Sequence, residues 1–158
     1  MDIALSWVLG VFLLVNFVAA CSGGYFRPGD WYERLNKPSW QPADWVFPTV
    51  WSVLYVLNAY AGWRVWELAP AGALAVPMAL YGLQLVLNAG WSALFFGLRR
   101  MDLAMGEVLF LWLSILGCMI LFHPIDAVAA WLLAPYLLWV TIAAYLNWTV
   151  WQLNRAPA

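Results

Sequence analysis

Residues 73–98 read ALAVPMALYGLQLVLNAGWSALFFGL, a run without one charged side chain. A helix rises about 1.5 Å per residue, and crossing a hydrocarbon layer takes about 20 mostly apolar residues. The run therefore predicts a membrane-spanning helix. Its amides and two of its aromatic residues line up: Gln84, Asn88, Trp91 and Phe95 recur at helical spacing and share one face. An amide in hydrocarbon costs kilocalories unless it finds a partner, so this face is predicted to look into a bundle. The opposite face, Ala75, Ala79, Gly82, Val86, Ala89 and Ala93, is mostly small. Small residues let a second helix approach closely, either inside the bundle or as the seam of a homodimer.

Working outward, the same reading gives five spans, roughly 3–22, 44–66, 73–98, 102–122 and 126–152. The expected architecture is a single all-α integral membrane domain over 1–158, a five-transmembrane-helix bundle. Breaks between spans have local causes: Ser22-Gly23-Gly24, Pro70-Ala71-Gly72, Arg99-Arg100 and His123-Pro124, with Asp44 and Asp126 placed to cap the second and fifth helices. Composition agrees. The 158 residues are 66% hydrophobic and 9% charged, with mean hydropathy +0.79, whereas a soluble domain carries about 25% charged residues. The seven basic residues form no stripe, which argues against nucleic acid. Val18-Ala19-Ala20-Cys21 looks like a lipoprotein cleavage site, but Asp2 and the lack of Lys or Arg before it give no basic n-region, so the segment is read as a retained span.

The connection 23–43 is too long for a turn, and Tyr25, Phe26, Trp31, Tyr32 and Trp40 with three prolines are not the composition of a disordered linker. It is expected to fold as a structured lid between helices 1 and 2. Arg27, Arg34, Lys37, Arg99, Arg100 and Arg155 fall on one side of the membrane and only Arg64 on the other. The positive-inside rule then puts the lid and C-terminus in the cytoplasm and the N-terminus outside, if the membrane is an energised inner one. The choice between inner and outer membrane stays open.

Aromatic residues make up 18% of the chain, including 13 Trp. Interfacial belts account for Trp45, Trp63, Trp66, Trp131 and Trp148, but not for Trp51, Trp91 and Trp139, which lie well inside apolar runs. Trp51, Tyr55, Asn58 and Gly62 share a face of the second span; Tyr136, Trp139, Ala143, Leu146 and Asn147 share one on the fifth. Three inward faces of aromatic and amide groups serve either as interhelical glue or, together, as a pocket, since ligand pockets are apolar with a few placed polar groups. Flat walls favour a flat guest. A porphyrin fits, with its acidic substituents reaching Arg27, Arg34 or Lys37 in the lid. A sterol or lipid fits the apolar walls without stacking. His123 sits in a connection away from the lid, so binding is expected to need no metal and no cofactor. Glu107, near the cationic-side entrance of the fourth span, is accounted for by the helix dipole and the nearby interface. Cys21 and Cys118 lie toward opposite faces, too far apart for a disulfide. No catalytic triad, carboxylate pair or phosphate loop occurs, which removes conventional enzyme chemistry.

WYERLNKPSW at 31–40, followed by Pro42, Trp45, Phe47 and VWSVLY at 50–55, resembles the loop-and-second-helix signature of the TspO/MBR family. This family comprises tryptophan-rich sensory and translocator proteins, the latter also called peripheral-type benzodiazepine receptors. Gln84, Asn88, Trp91 and Phe95-Phe96 resemble its third-helix pattern; Pro135-Tyr136, Trp139, Ala143 and Leu146-Asn147 its fifth. The resemblance implies a five-helix bundle, usually dimeric, with a cavity under the first loop that takes protoporphyrin IX, haem and synthetic benzodiazepine or isoquinoline carboxamide ligands. It implies ligand contacts at Tyr32, Trp51, Asn88, Trp139, Ala143 and Leu146, and a role in tetrapyrrole transport or regulation. Light-dependent porphyrin degradation through Trp51 and Trp139 is a further implied activity. Two departures stand out: Pro42-Ala43 replaces a pair of prolines, and Trp148 and Gln152 replace the Tyr and basic residue of the animal cholesterol motif. Both the loop exit and tight sterol binding are thereby put in question. The looser sterol pattern at Leu57, Tyr60 and Arg64 is read as a chance match.

Overall fold

The computed structural model describes residues 7–155. They form α1 (Trp7–Tyr25), a short α2 (Asp30–Glu33), α3 (Val46–Leu68), α4 (Ala75–Ser92) running on as a π-helical turn (Ala93–Gly97), α5 (Met101–Phe122), α6 (Ala127–Leu132) and α7 (Ala134–Leu153), with no strand among the described residues. The stretches Trp7–Tyr25, Ala75–Gly97, Met101–Phe122 and Ala127–Leu153 are long and apolar enough to cross a membrane. The outside is apolar too: Phe17, Phe110, Ile120 and Leu138 are exposed. A surface of that kind suits lipid, and the molecule is an integral membrane helical bundle.

The helices close in the order α3–α1–α4–α5–α7, with α6 completing the ring against α3. Small residues set the tight seams. A Cβ on Gly62 of α3 would lie 2.8 Å from ring atoms of Phe12 and Tyr81, and one on Gly117 of α5 would lie 2.7 Å from Leu80 Cδ2. Backbones therefore approach closely there, as small residues permit in membranes. By contrast, α3 and α7 barely touch. Most of the small face of α4 points outward: Ala75, Ala79, Gly82 and Val86 are exposed, while Ala89 and Ala93 are half-buried.

The loop after α1 lies across one end of the bundle. Trp31, Tyr32 and Leu35 pack on Phe95, Leu146 and Val150, and Trp40 stacks on Tyr145 at 5.1 Å. Asn154, just past α7, accepts from the Asn36 N–H and donates to the Asn36 carbonyl, both at 2.9 Å.

Several local expectations change. The first span does not stop at Gly23-Gly24; α1 runs to Tyr25, and the Phe26 N–H still reaches the Ser22 carbonyl at 2.8 Å. Glycine lowers helix propensity by about 1 kcal/mol, which tertiary contact overrides; here the Phe26 ring fills the space beside Gly97. Residues 3–6 of that span lie outside the described residues. Asp44 does not cap α3, whose N-cap is Trp45 with no side-chain bond. Asp126 does cap α6, accepting from the Val128 N–H at 3.1 Å, and it pairs with Arg64. The 126–152 span is interrupted at Leu133, because Pro135 has no N–H to continue the ladder and its ring disfavours the preceding turn. Trp63 is no belt residue: it is 1% exposed, and its indole donates to Glu67. Trp45, Trp66, Trp131 and Trp148 are exposed. Cys21 and Cys118 are free thiols.

Candidate functional site

Where α3 and α7 fail to meet, aromatic rings cross the gap. Phe47 and Trp139 pair edge-on with centroids 5.7 Å apart, and Trp51 and Tyr136 do so at 5.9 Å. Trp51 also lies 5.6 Å from Tyr55. Helical spacing explains the pattern: Phe47, Trp51 and Tyr55 are one face of α3, Tyr136 and Trp139 one face of α7. Asn88 of α4 joins them from below. It accepts from the Tyr55 hydroxyl and donates to the Tyr136 hydroxyl at 2.7 Å. Trp139 is 9% exposed, and its indole N–H is buried with no acceptor. A buried donor without a partner is uncommon and calls for a cause.

Beside these rings a groove of about 340 Å³ runs between α3 and α7, lined among others by Val50, Val53, Leu57, Leu138, Trp139 and Ile142. Its walls are almost wholly apolar. The volume is at the lower end of that typical for small-molecule sites, about 300–1,000 Å³.

A second tier lies toward the loop. Trp91 stacks on Phe95 at 5.0 Å with Phe96 edge-on to both. The Trp91 indole donates to Asn147 Oδ1 at 3.3 Å, and Asn147 Nδ2 donates to the Met101 carbonyl at 3.0 Å. The π-helical turn matters here. The Leu98 N–H reaches back five residues to the Ala93 carbonyl at 2.8 Å, and neighbouring Phe95 and Phe96 both touch Tyr32, at 6.1 and 5.4 Å. Such turns change the register of a helix face and are frequent at functional sites. Leu146 is buried in this tier, and Ala143 lies half-buried on α7 between the two. Phe47 and Trp91 pack against the buried cores of both tiers.

The expected site residues thus divide. Trp51 and Asn88 meet Tyr136, with Trp139 one turn further along α7 against Phe47; Trp91 and Leu146 cluster with Tyr32 of the loop. Of the cations, Lys37 lies over the Tyr32 ring at 4.2 Å, while Arg34 is exposed and the exposed Arg27 folds back onto the Gly24 carbonyl at 2.9 Å. Burial, and after it the negative charge of Asp44, raises the Tyr32 phenol above its ordinary value and keeps it neutral. Arg99, read only as a loop charge, lies 5.8 Å from the Trp31 ring. Glu107 sits apart from both tiers, opposite Gly90, with both carboxyl oxygens buried and unpartnered. His123 is exposed at the end of α5. Among the described residues no three His, Cys, Asp or Glu converge as metal ligands.

Sequence reasoning missed Asn16 and Tyr81, which extend the amide cluster into α1: Asn16 Nδ2 donates to the Tyr81 hydroxyl at 2.6 Å. The signal was present, since Asn16 is an amide in an apolar span. The groove had no such signal.

Comparison with known proteins gives a consistent pattern. The sequence profile of the TspO/MBR family matches residues 11–152. Protein CrtK of Rhodobacter capsulatus is 39% identical over 148 residues, 93% of this chain and 92% of that protein. The tryptophan-rich sensory protein of Cereibacter sphaeroides is 40% identical over 147 residues, covering 90% and 91%. The translocator protein of Homo sapiens is 36% identical over 155 residues, covering 94% and 92%.

Proposed function

The chain belongs to the TspO/MBR family, and on that premise we propose that it binds a flat tetrapyrrole such as protoporphyrin IX or haem between α3 and α7, beneath the 23–43 loop. One observation carries this reading: two helices held apart at the backbone are bridged by the edge-on pairs Phe47–Trp139 and Trp51–Tyr136. Rings in that arrangement can rotate to sandwich a planar guest, and each well-placed ring pair contributes about 0.5–1.5 kcal/mol beyond area burial. The unpartnered Trp139 N–H and the Asn88 amide supply polar orientation. Lys37, over the Tyr32 ring, and the exposed Arg34 and Arg27 are the loop's cations for acidic substituents. The relatives' names, sensory protein and translocator protein, suggest that the bound pigment is reported or moved.

In this reading Val46–Leu68 is a fifth crossing. It has 23 residues, and its polar groups are accommodated: Asn58 is buried and bonded, and Arg64 pairs with Asp126 near the helix end. The loop and the C-terminus then share the cationic side, and the outward small face of α4 is available to a second copy.

Titrating protoporphyrin into the protein in nanodiscs tests the site. Saturable quenching of tryptophan fluorescence is expected, weakened by Trp51→Phe and by Trp139→Phe. Unchanged affinity in both variants removes the assignment. A second reading, light-driven oxidation of the bound pigment with dioxygen as the electron acceptor, draws on the contact of Trp51 with two further oxidisable rings, Tyr55 and Tyr136. It requires products under illumination that disappear in Trp51→Phe while binding persists; breakdown at the rate seen in detergent alone removes it.

A further inference from the structure

Seven side chains from four helices form one hydrogen-bonded chain through the bundle. The Tyr55 hydroxyl donates to Asn88 Oδ1. Asn88 Nδ2 donates to the Tyr136 hydroxyl at 2.7 Å, and that hydroxyl to Gln84 Oε1 at 3.1 Å. Gln84 Nε2 donates to Asn58 Oδ1 at 3.3 Å, and Asn58 Nδ2 to Asn16 Oδ1 at 2.8 Å. Asn16 Nδ2 donates to the Tyr81 hydroxyl at 2.6 Å, which donates to the Asn58 backbone carbonyl at 3.2 Å. Every link points the same way.

The links between side chains do not choose that direction. Amides and hydroxyls are donors and acceptors at once, so the chain reversed satisfies those links equally well. The tie is broken by groups that can only accept. The Phe12 carbonyl takes a second hydrogen from Asn16 Nδ2 at 2.8 Å, and the Asn58 carbonyl takes the Tyr81 hydroxyl. Turning the Asn16 amide over would set its Oδ1 against the Phe12 oxygen, two acceptors with no proton between them. Asn16 is 1% exposed, and mismatched polar groups are costly where no water relieves them.

We propose that Asn16 is a remote positioning residue for the candidate site. Held by the Phe12 carbonyl, it dictates through Asn58, Gln84 and Tyr136 which end of the Asn88 amide meets Tyr55 and which meets Tyr136. With Oδ1 turned to Tyr55, the amide hydrogen that Asn88 does not give to Tyr136 lies at the Tyr136 end of the group, where an incoming acceptor atom can take it; turned over, the spare hydrogen would lie at the Tyr55 end. That consequence rests on the porphyrin reading above; the orientation itself does not.

The test uses the full chain in nanodiscs without ligand and reads the Asn88 side-chain amide by ¹⁵N–¹H spectroscopy, its signals assigned by their loss in Asn88→Leu. Asn16→Leu removes the anchor, and Gln84→Met cuts the chain between Asn58 and Tyr136. Each is expected to shift or split the Asn88 signals. Asn16→Asp, whose protonated carboxyl keeps one acceptor and one donor in place, restores a single signal at the original position. Tyr81→Phe leaves the Phe12 anchor intact and the Asn88 signals unmoved. Ser114→Ala, which loses only a bond to the Leu111 carbonyl, is the control. Should Asn16→Leu fail to fold, Gln84→Met decides alone. Asn88 signals unmoved in Asn16→Leu or Gln84→Met, or not restored by Asn16→Asp, overturn the proposal. Asn88 signals that move as expected while porphyrin affinity stays unchanged count against the porphyrin reading instead.

Discussion

The two flanks of α3 solve opposite problems. Toward α1 and α4 it presents Gly62, and the rings of Phe12 and Tyr81 come so close that a methyl group has no room. Toward α7 it presents Phe47 and Trp51, and their bulk holds the backbones apart beside an apolar groove. Inside a membrane the lipid is as apolar as the side chains, so close packing and interhelical hydrogen bonds, rather than expulsion of water, decide which seams shut. One helix can therefore be fixed on one flank and left separable on the other by residue size alone.

Four substitutions probe that contrast, in falling order of effect. Gly62→Val should damage the shut seam most, since overpacking costs about 1–3 kcal/mol. Thermal unfolding in detergent checks it; an unchanged Tm would mean the seam can give. Trp139→Phe acts on the separable seam. It should weaken protoporphyrin binding about 2- to 10-fold, the equivalent of one degraded ring pair, measured by equilibrium titration. Asn154→Ala unties the loop from α7. Its two exposed bonds to Asn36 contribute about 0.5 kcal/mol each, the low end for a hydrogen bond, so amide exchange across 31–37 should quicken about 5-fold while global unfolding barely moves. Val53→Ala trims an exposed wall of the groove, and stability should stay within about 0.5 kcal/mol, as at exposed positions generally. A large loss there would show that the groove side is packed after all.

What the sequence disclosed follows from which forces are local. An amide in hydrocarbon needs a partner, which directs Gln84 and Asn88 inward, and both are buried and bonded. The same rule applied to Asn16 would have found the chain reaching α1. Trp63 departs from the belt expectation because an indole near a span end serves equally as an anchor or as core; only its neighbours decide. The Gly23-Gly24 pair lowers helix propensity without forbidding helix, so the contact of Phe26 with Gly97 prevailed. The π-helical turn is a phase change of one residue that composition does not reveal, yet it brings Phe95 and Phe96 together onto Tyr32. The groove depends on backbone separation between α3 and α7, which no single segment encodes.

The sharpest single measurement is a structure of the protein with protoporphyrin bound. The account predicts the macrocycle between α3 and α7, within stacking distance of Trp51 and Trp139, with the Phe47–Trp139 and Trp51–Tyr136 pairs opened around it. A pigment lying on the outer surface, with both pairs as they stand now, would contradict it.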